Sequence, residues 1–139
     1  MRCEPYKIKE VKKSAALEPY QRWSIIKKAG FNTVRLPVRW SAHARKDAPY
    51  TIDPKFAERV DWAVEQALAN KLNVIVDFHN YDEMMSDPDG QLPRLAGLWE
   101  QIAARYKDRP REVYFEVLNE PNGKLGGAKW NAAVARNRS

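Results

Sequence analysis

Two kinds of apolar pattern alternate along the chain. Short runs rich in β-branched and aromatic residues stand at 31–38 (FNTVRLPV), 72–78 (LNVIVDF) and 113–118 (VYFEVL). Such runs suit strands buried on both faces, as in a parallel sheet. Between them, apolar residues recur every three or four positions, the period of an amphipathic helix. From Glu18 the pattern Tyr20, Trp23, Ile25, Ile26 predicts a helix that Lys27, Lys28 and the following Gly30 bring to a stop. Asp53-Pro54 is a helix start, an N-cap residue followed by proline at the first helical position. Phe56, Val60, Ala63, Val64, Ala67 and Leu68 then mark one face, with Trp62 off its centre and Asn70 as the end. A third helix is expected over 92–106, with Leu95, Leu98, Trp99, Ile102 and Tyr106 on one side. It ends at Asp108, Arg109 and Pro110. Residues 40–53 and 80–92 lack periodicity and read as loops. After a glycine-rich stretch from Lys124, a short helix is expected around 130–134.

The strands begin near 32, 73 and 113, spacings of 41 and 40 residues, with one helix in each gap. Strand–helix alternation at a steady period implies repeated βαβ units and a parallel sheet. Both a barrel and a doubly wound sheet are built this way. A wound sheet that binds nucleotides would carry a glycine-rich phosphate loop after its first strand, and none is present. Polar residues instead sit toward the C-terminal ends of all three strands: Arg35, His79, Asn119 and Glu120. Barrel enzymes assemble their sites in that way.

The last strand carries the sharpest chemical signal. Its apolar run leads to Asn119, Glu120 and Pro121, and proline cannot continue a central strand because it lacks the ladder N–H. The strand is therefore expected to stop at Glu120, with an amide and a carboxyl group on its lip. A partly desolvated carboxyl group there would be raised toward the range useful for general acid work; a plain turn cap is the alternative. Arg35 interrupts an apolar strand and so must be paired or face a polar cavity. Asp77 and His79 are two apart and share a face of a regular strand.

The chain has 139 residues, 44% of them hydrophobic and 30% charged. That suffices for one ordinary domain, here read as 18–139 after a basic leader, 1–17, that is loose or imperfectly helical. No apolar run approaches the roughly 20 residues of a spanning helix, and the N-terminus is too polar for a signal-peptide core. A membrane partner is not expected, and localisation stays open. Cys3 is the only cysteine, in a polar leader without a nearby histidine. The net charge of +6 is concentrated in Lys7, Lys9, Lys12 and Lys13 and in Lys124, Lys129, Arg136 and Arg138. Nothing between them has a nucleic-acid-binding signature, so a solvated surface is the better reading.

Three blocks, AGFNTVRLPVRWS (29–41), VIVDFHNY (74–81) and FEVLNEPNG (115–123), together resemble the family 5 glycoside hydrolases. These are cellulase-type (β/α)8 barrels of the clan that shares the Asn-Glu-Pro motif. The resemblance covers roughly residues 23–130. It implies an α/β fold, a partial barrel of about three to four consecutive βα units with parallel strands. It also implies an O-glycosyl hydrolase of the retaining, endoglucanase type, acting on a β-linked glucan or related polysaccharide without a cofactor. Residue by residue, Glu120 matches the acid/base and Asn119 the residue that binds the sugar 2-hydroxyl. Arg35 matches the strand-end arginine that supports the nucleophile, and His79 the histidine of the subsite where cleavage occurs. Asn80 stands where some members carry a second histidine. Trp40 is a candidate for stacking on a sugar, with a core role as the alternative.

Retention needs two carboxyl groups about 5–5.5 Å apart. In the family the second is a glutamate on a much later strand, and only 19 residues follow Glu120 here. The chain is thus expected to hold the acid/base half of the site and to be weakly active or inactive alone. Glu116 lies about 13 Å below Glu120 on a regular strand, toward a barrel floor, and Asp77 sits a residue pair below the lip. Neither is expected to substitute, nor are the loop residues Asp82 and Glu83. The alternative is a non-catalytic sugar-binding or self-assembling half barrel, whose open strand edges invite pairing with another chain.

Overall fold

The structure, a computed structural model, describes residues 19–136; the leader expected at 1–17 and Cys3 lie outside the described residues. Helix α1 (Pro19–Lys28) leads into β1 (Thr33–Val38). A short 3-10 turn, Trp40–His43, precedes α2 (Pro54–Ala69) and β2 (Asn73–Phe78). Helices α3 (Asp82–Ser86) and α4 (Pro88–Tyr106) follow, then β3 (Val113–Glu116) and α5 (Gly127–Arg136). The strands form one parallel sheet in the order β1-β2-β3. Their register aligns Arg35 with Ile75 and Tyr114, and Pro37 with Asp77 and Glu116.

That register divides the sheet into two unlike faces. Val34, Leu36, Val38, Val74, Val76, Phe78, Val113 and Phe115 share one face by the two-residue alternation of strands. This face packs on Val64 and Ala67 of α2 and on Leu95, Leu98 and Ile102 of α4. The other face carries Thr33, Arg35, Pro37, Asn73, Ile75, Asp77, Tyr114 and Glu116, and much of it is open: Tyr114 is 53% exposed. The expectation of strands buried on both faces thus fails for β1 and β3, which are edge strands of the described sheet.

Helix α2 forms as its sequence dictates. The Asp53 side chain accepts the Lys55 N–H at 2.9 Å and Pro54 occupies the first turn. Ala57, Val60, Val64 and Ala67 form its buried stripe. Residues 80–92, expected to be loop, instead hold α3 and the first turn of α4. Asp87-Pro88 repeats the Asp53-Pro54 signal: the Asp87 carboxylate accepts the Gly90 N–H at 3.2 Å. A Cβ on Gly90 would lie 2.2 Å from that carboxylate, so glycine makes room for the cap. Pro93 inside the helix forfeits one backbone bond, which the burial of Leu95, Leu98 and Ile102 offsets. The expected loop at 40–53 is stapled down from α4. Arg94, buried, donates to the Ser41 carbonyl at 2.8 Å and the Ala44 carbonyl at 3.2 Å, and Gln101 accepts the Ile52 N–H at 3.0 Å.

Candidate active site

The site is built where the ladder reaches the C-terminal ends of the strands. Between β1 and β2 the ladder runs regularly to the lip, where the His79 N–H donates to the Val38 carbonyl at 2.9 Å. Between β2 and β3 it slips by one residue. The Val74 N–H donates to the Glu112 carbonyl, so a regular parallel ladder would bring donors from Tyr114, Glu116 and Leu118 to β2. The Phe78 carbonyl instead accepts the N–H of Asn119, at 2.9 Å. One extra residue has been inserted at Val117–Leu118, a bulge. The strand is therefore shorter than expected, ending at Glu116 and not at Glu120. The regular strand from which the 13 Å spacing of Glu116 and Glu120 was expected does not continue past Glu116.

The bulge has a chemical consequence. On an unbroken strand Asn119 would fall on the helix-covered face with Val113 and Phe115. The extra residue turns it to the open face, where its Oδ1 accepts from Arg35 Nη2 at 2.7 Å. Leu118 is buried, and the Val117 carbonyl accepts from Trp99 Nε1 at 3.1 Å. The bulge is thus fixed from the helix side.

Arg35 is the hub of the cluster. It lies on β1, two strands or about 9–10 Å from β3, and its side chain spans that distance across β2. Nε and Nη2 donate to the two oxygens of Glu116 at 2.8 and 2.7 Å. Nη2 also lies 2.9 Å from Asp77 Oδ2. Of the two alternatives for Arg35, a partner or a polar cavity, the structure shows partners, Glu116 and Asp77, which the sequence places on the barrel floor and below the lip. The signal was available: two acidic residues share a face with one arginine, one residue pair nearer the lip. His79 Nδ1 lies 2.6 Å from the same Asp77 oxygen. Asp77 is wholly buried, and its Oδ1 has no hydrogen-bond partner among the described residues.

Glu120 follows Asn119 directly and adopts φ +44, in the left-handed region that glutamate seldom visits. Such conformations cluster at functional sites, where surrounding structure holds them. The loop beyond Glu120 is anchored on α3. The Lys124 N–H donates to the Met85 carbonyl at 2.9 Å, and a Cβ on Gly123, at φ +58, would lie 2.8 Å from that carbonyl. Asn122 Nδ2 donates to the Glu120 carbonyl at 2.8 Å. The Glu120 side chain itself is exposed, not partly desolvated as expected. Its negative charge acts on Arg35, whose guanidinium is raised above its ordinary value chiefly by the Glu116 hydrogen bond.

Two residues expected at the site stand apart from this cluster. Trp40 is fully buried, edge-on to Phe56 at 5.7 Å. It offers no face to a sugar, and the stacking expectation is corrected to a core role. A 3-10 turn starts at Trp40, and the tryptophan ring packs on Phe56 of α2. Asn80 is exposed at φ +51, and its carbonyl accepts from Ser41 Oγ at 3.4 Å. A groove of about 540 Å³, lined by Trp99, Tyr106 and Phe115 among others, lies on the helix side of β3 and not at this cluster.

Among the described residues, two carboxyls are held below the ordinary carboxylate range. The Arg35 hydrogen bond lowers Glu116. Burial pushes Asp61 of α2 up, but the Arg105 hydrogen bonds and the charges of Arg105 and Arg109 outweigh it. A depressed folded value stabilises fully above the unfolded value, and that contribution is lost as pH falls through the folded one. Thermal melts are therefore expected to hold a constant Tm down to about pH 5 and to decline below about pH 4. Glu116→Gln and Asp61→Asn should each make the decline shallower. A Tm unchanged down to about pH 3 would contradict both assignments.

A parallel sheet with an Asn-Glu pair and an arginine–carboxylate cluster at its C-terminal lip defines a class, the α/β proteins that build a polar site on strand ends. Comparison with known proteins narrows the class. The family model for cellulase, glycosyl hydrolase family 5, matches residues 19–138. The chain is 38% identical over 111 residues to endoglucanase H of Acetivibrio thermocellus, covering 80% of this chain and 12% of that protein. Endoglucanase Cel5A of the hyperthermophile Thermotoga maritima superposes with a TM-score of 0.85 at 44% identity, over 87% of this chain and 39% of the other. Structures of that protein with cellobiose and with mannotriose superpose with TM-scores of 0.85 and 0.84, at 44% and 43% identity and with the same coverage. This chain belongs to glycosyl hydrolase family 5, and its three βα units are part of the family's barrel. It spans 12% of the length of that curated relative and 39% of that solved chain.

Proposed function

We propose that the chain carries the acid/base half of a retaining β-glycosidase site of the endoglucanase type. In this reading Glu120 protonates the glycosidic oxygen and later activates water, while Asn119 holds the sugar 2-hydroxyl. His79 and Asn80 line the subsite where cleavage occurs, and Arg35 supports a carboxylate nucleophile. The substrate is a β-linked glucan or related polysaccharide, in keeping with the cellobiose and mannotriose bound by the Thermotoga protein. The observation that carries the reading is the bulge at Val117–Leu118. It puts Asn119 on Arg35 and leaves Glu120, the next residue, on an exposed and anchored lip.

Glu116 does not serve as the second carboxylate. Both its oxygens are occupied by the Arg35 guanidinium, and an attacking oxygen must be free. The nucleophile is a glutamate contributed by a later strand of the barrel. The isolated chain is accordingly expected to show little or no hydrolysis of carboxymethyl cellulose or of a nitrophenyl β-cellobioside. A graft of residues 19–138 into the barrel of the Thermotoga enzyme should hydrolyse both. A folded graft that binds cellobiose without turnover would favour a non-catalytic sugar-binding role.

A further inference from the structure

We propose that Asp77 is a positioning residue. It holds His79 as the Nδ1–H tautomer, so that Nε2 is left as the acceptor for a sugar hydroxyl. The inference rests on the glycosidase reading for the sugar, but not for the tautomer. Its basis is a chain of contacts that crosses all three strands. Glu116 and Asn119 on the β3 side hold Arg35, Arg35 Nη2 meets Asp77 Oδ2 at 2.9 Å, and that same oxygen meets His79 Nδ1 at 2.6 Å.

An ionised carboxylate only accepts hydrogen bonds, so the imidazole nitrogen facing it must carry the proton. Nδ1 therefore donates whether the ring is neutral or charged, and only Nε2 changes state. Nε2 has no partner among the described residues, and the side chain is 29% exposed on the open face of the sheet. Asp77 cannot turn away: it is wholly buried, and Arg35 Nη2 meets the same oxygen that faces the imidazole. The tautomer of a functional histidine is commonly set by the bond its other nitrogen makes. Here that bond comes from two residues earlier on the same strand, which places the carboxylate directly below the ring.

Leucine at this position removes the acceptor. Arg35 keeps Glu116 and Asn119, and nothing then holds a proton on Nδ1, so the ring returns to the Nε2–H form that a neutral imidazole favours in water. The test is long-range proton–nitrogen correlation NMR on the 139-residue chain labelled at its two histidines, recorded near pH 8. His43→Gln assigns the signals. The expected result is a protonated Nδ1 and a bare Nε2 at His79 in the parent chain, and the reverse in Asp77→Leu. A parent His79 protonated at Nε2 overturns the proposal, as does a folded Asp77→Leu variant that keeps the parent pattern. If that variant fails to fold, the parent spectrum alone decides. Because tautomer and not turnover is read, a correct tautomer beside a graft without glucanase activity would sink only the glycosidase reading.

Discussion

Glu120→Gln, placed in a family barrel that carries residues 19–138, is expected to lower kcat on an unactivated β-glucan by about 10²–10⁴-fold, the usual contribution of a positioned proton donor. KM should change little, because the glutamine keeps the shape of the side chain and loses only the transferable proton. The loss should depend on the leaving group. A nitrophenolate departs without protonation, so the first step on a nitrophenyl cellobioside is spared. The second step, in which the same residue must act as base toward water, remains slow. Azide needs no general base and is expected to restore turnover on that activated substrate but not on cellulose. Equal losses on both substrates, with no azide effect, would show that Glu120 holds structure and does not move protons.

The expected magnitude rests on where the backbone leaves the side chain. Glu120 is at φ +44, just beyond a bulge, with its own carbonyl bonded to Asn122 and the following loop tied to Met85. A lip held at this many points would keep the proposed proton donor in place without help from the substrate, which is what effective acid catalysis requires. Its exposure in this chain fits a site whose opposite wall belongs to other strands of the barrel.

The helices and the three strand positions could be read from the sequence because they follow from local rules. Asp53-Pro54 announces α2, and the Phe56–Leu68 stripe gives its buried side. The same rule applied to Asp87-Pro88 would have found the start of α4, but Gly90 and Pro93 pull that stretch toward a loop reading. Glycine is there only to clear the capping carboxylate. The candidate site residues Arg35, Asn119 and Glu120 stand out as polar breaks in apolar runs, and parallel register brings them to one end of the sheet. The bulge leaves no compositional trace: Val117 and Leu118 look like two more strand residues, and only the hydrogen bond from Asn119 to Phe78 reveals the extra one. Trp40 shows the same limit from the other side. A tryptophan at a strand end suits a sugar platform or a core equally well, and the 3-10 turn that decides between them is set by tertiary packing.

Arg35→Met is expected to destabilise the chain by about 2–4 kcal/mol, near the lower end of the cost of removing one partner from a buried ion pair. The lower end applies because the Arg35 side chain is 38% exposed while Asp77 is fully buried. Most of the loss comes from what is left behind. Asp77 keeps only His79, with one oxygen already unpartnered, and both Glu116 and Asn119 lose their donor. The cost should therefore collapse when the orphaned acid is removed as well. The double variant Arg35→Met, Asp77→Leu is expected to recover more than half of the single-variant loss, since a buried charge network replaced by apolar groups of similar size is often close to neutral. Urea unfolding followed by circular dichroism measures both, with unchanged m-values confirming that the unfolded state is the same. Additive losses in the double variant would mean that Arg35 and Asp77 are not coupled. The contact chain from β3 to His79 would then be a coincidence of packing and not a working part of the site.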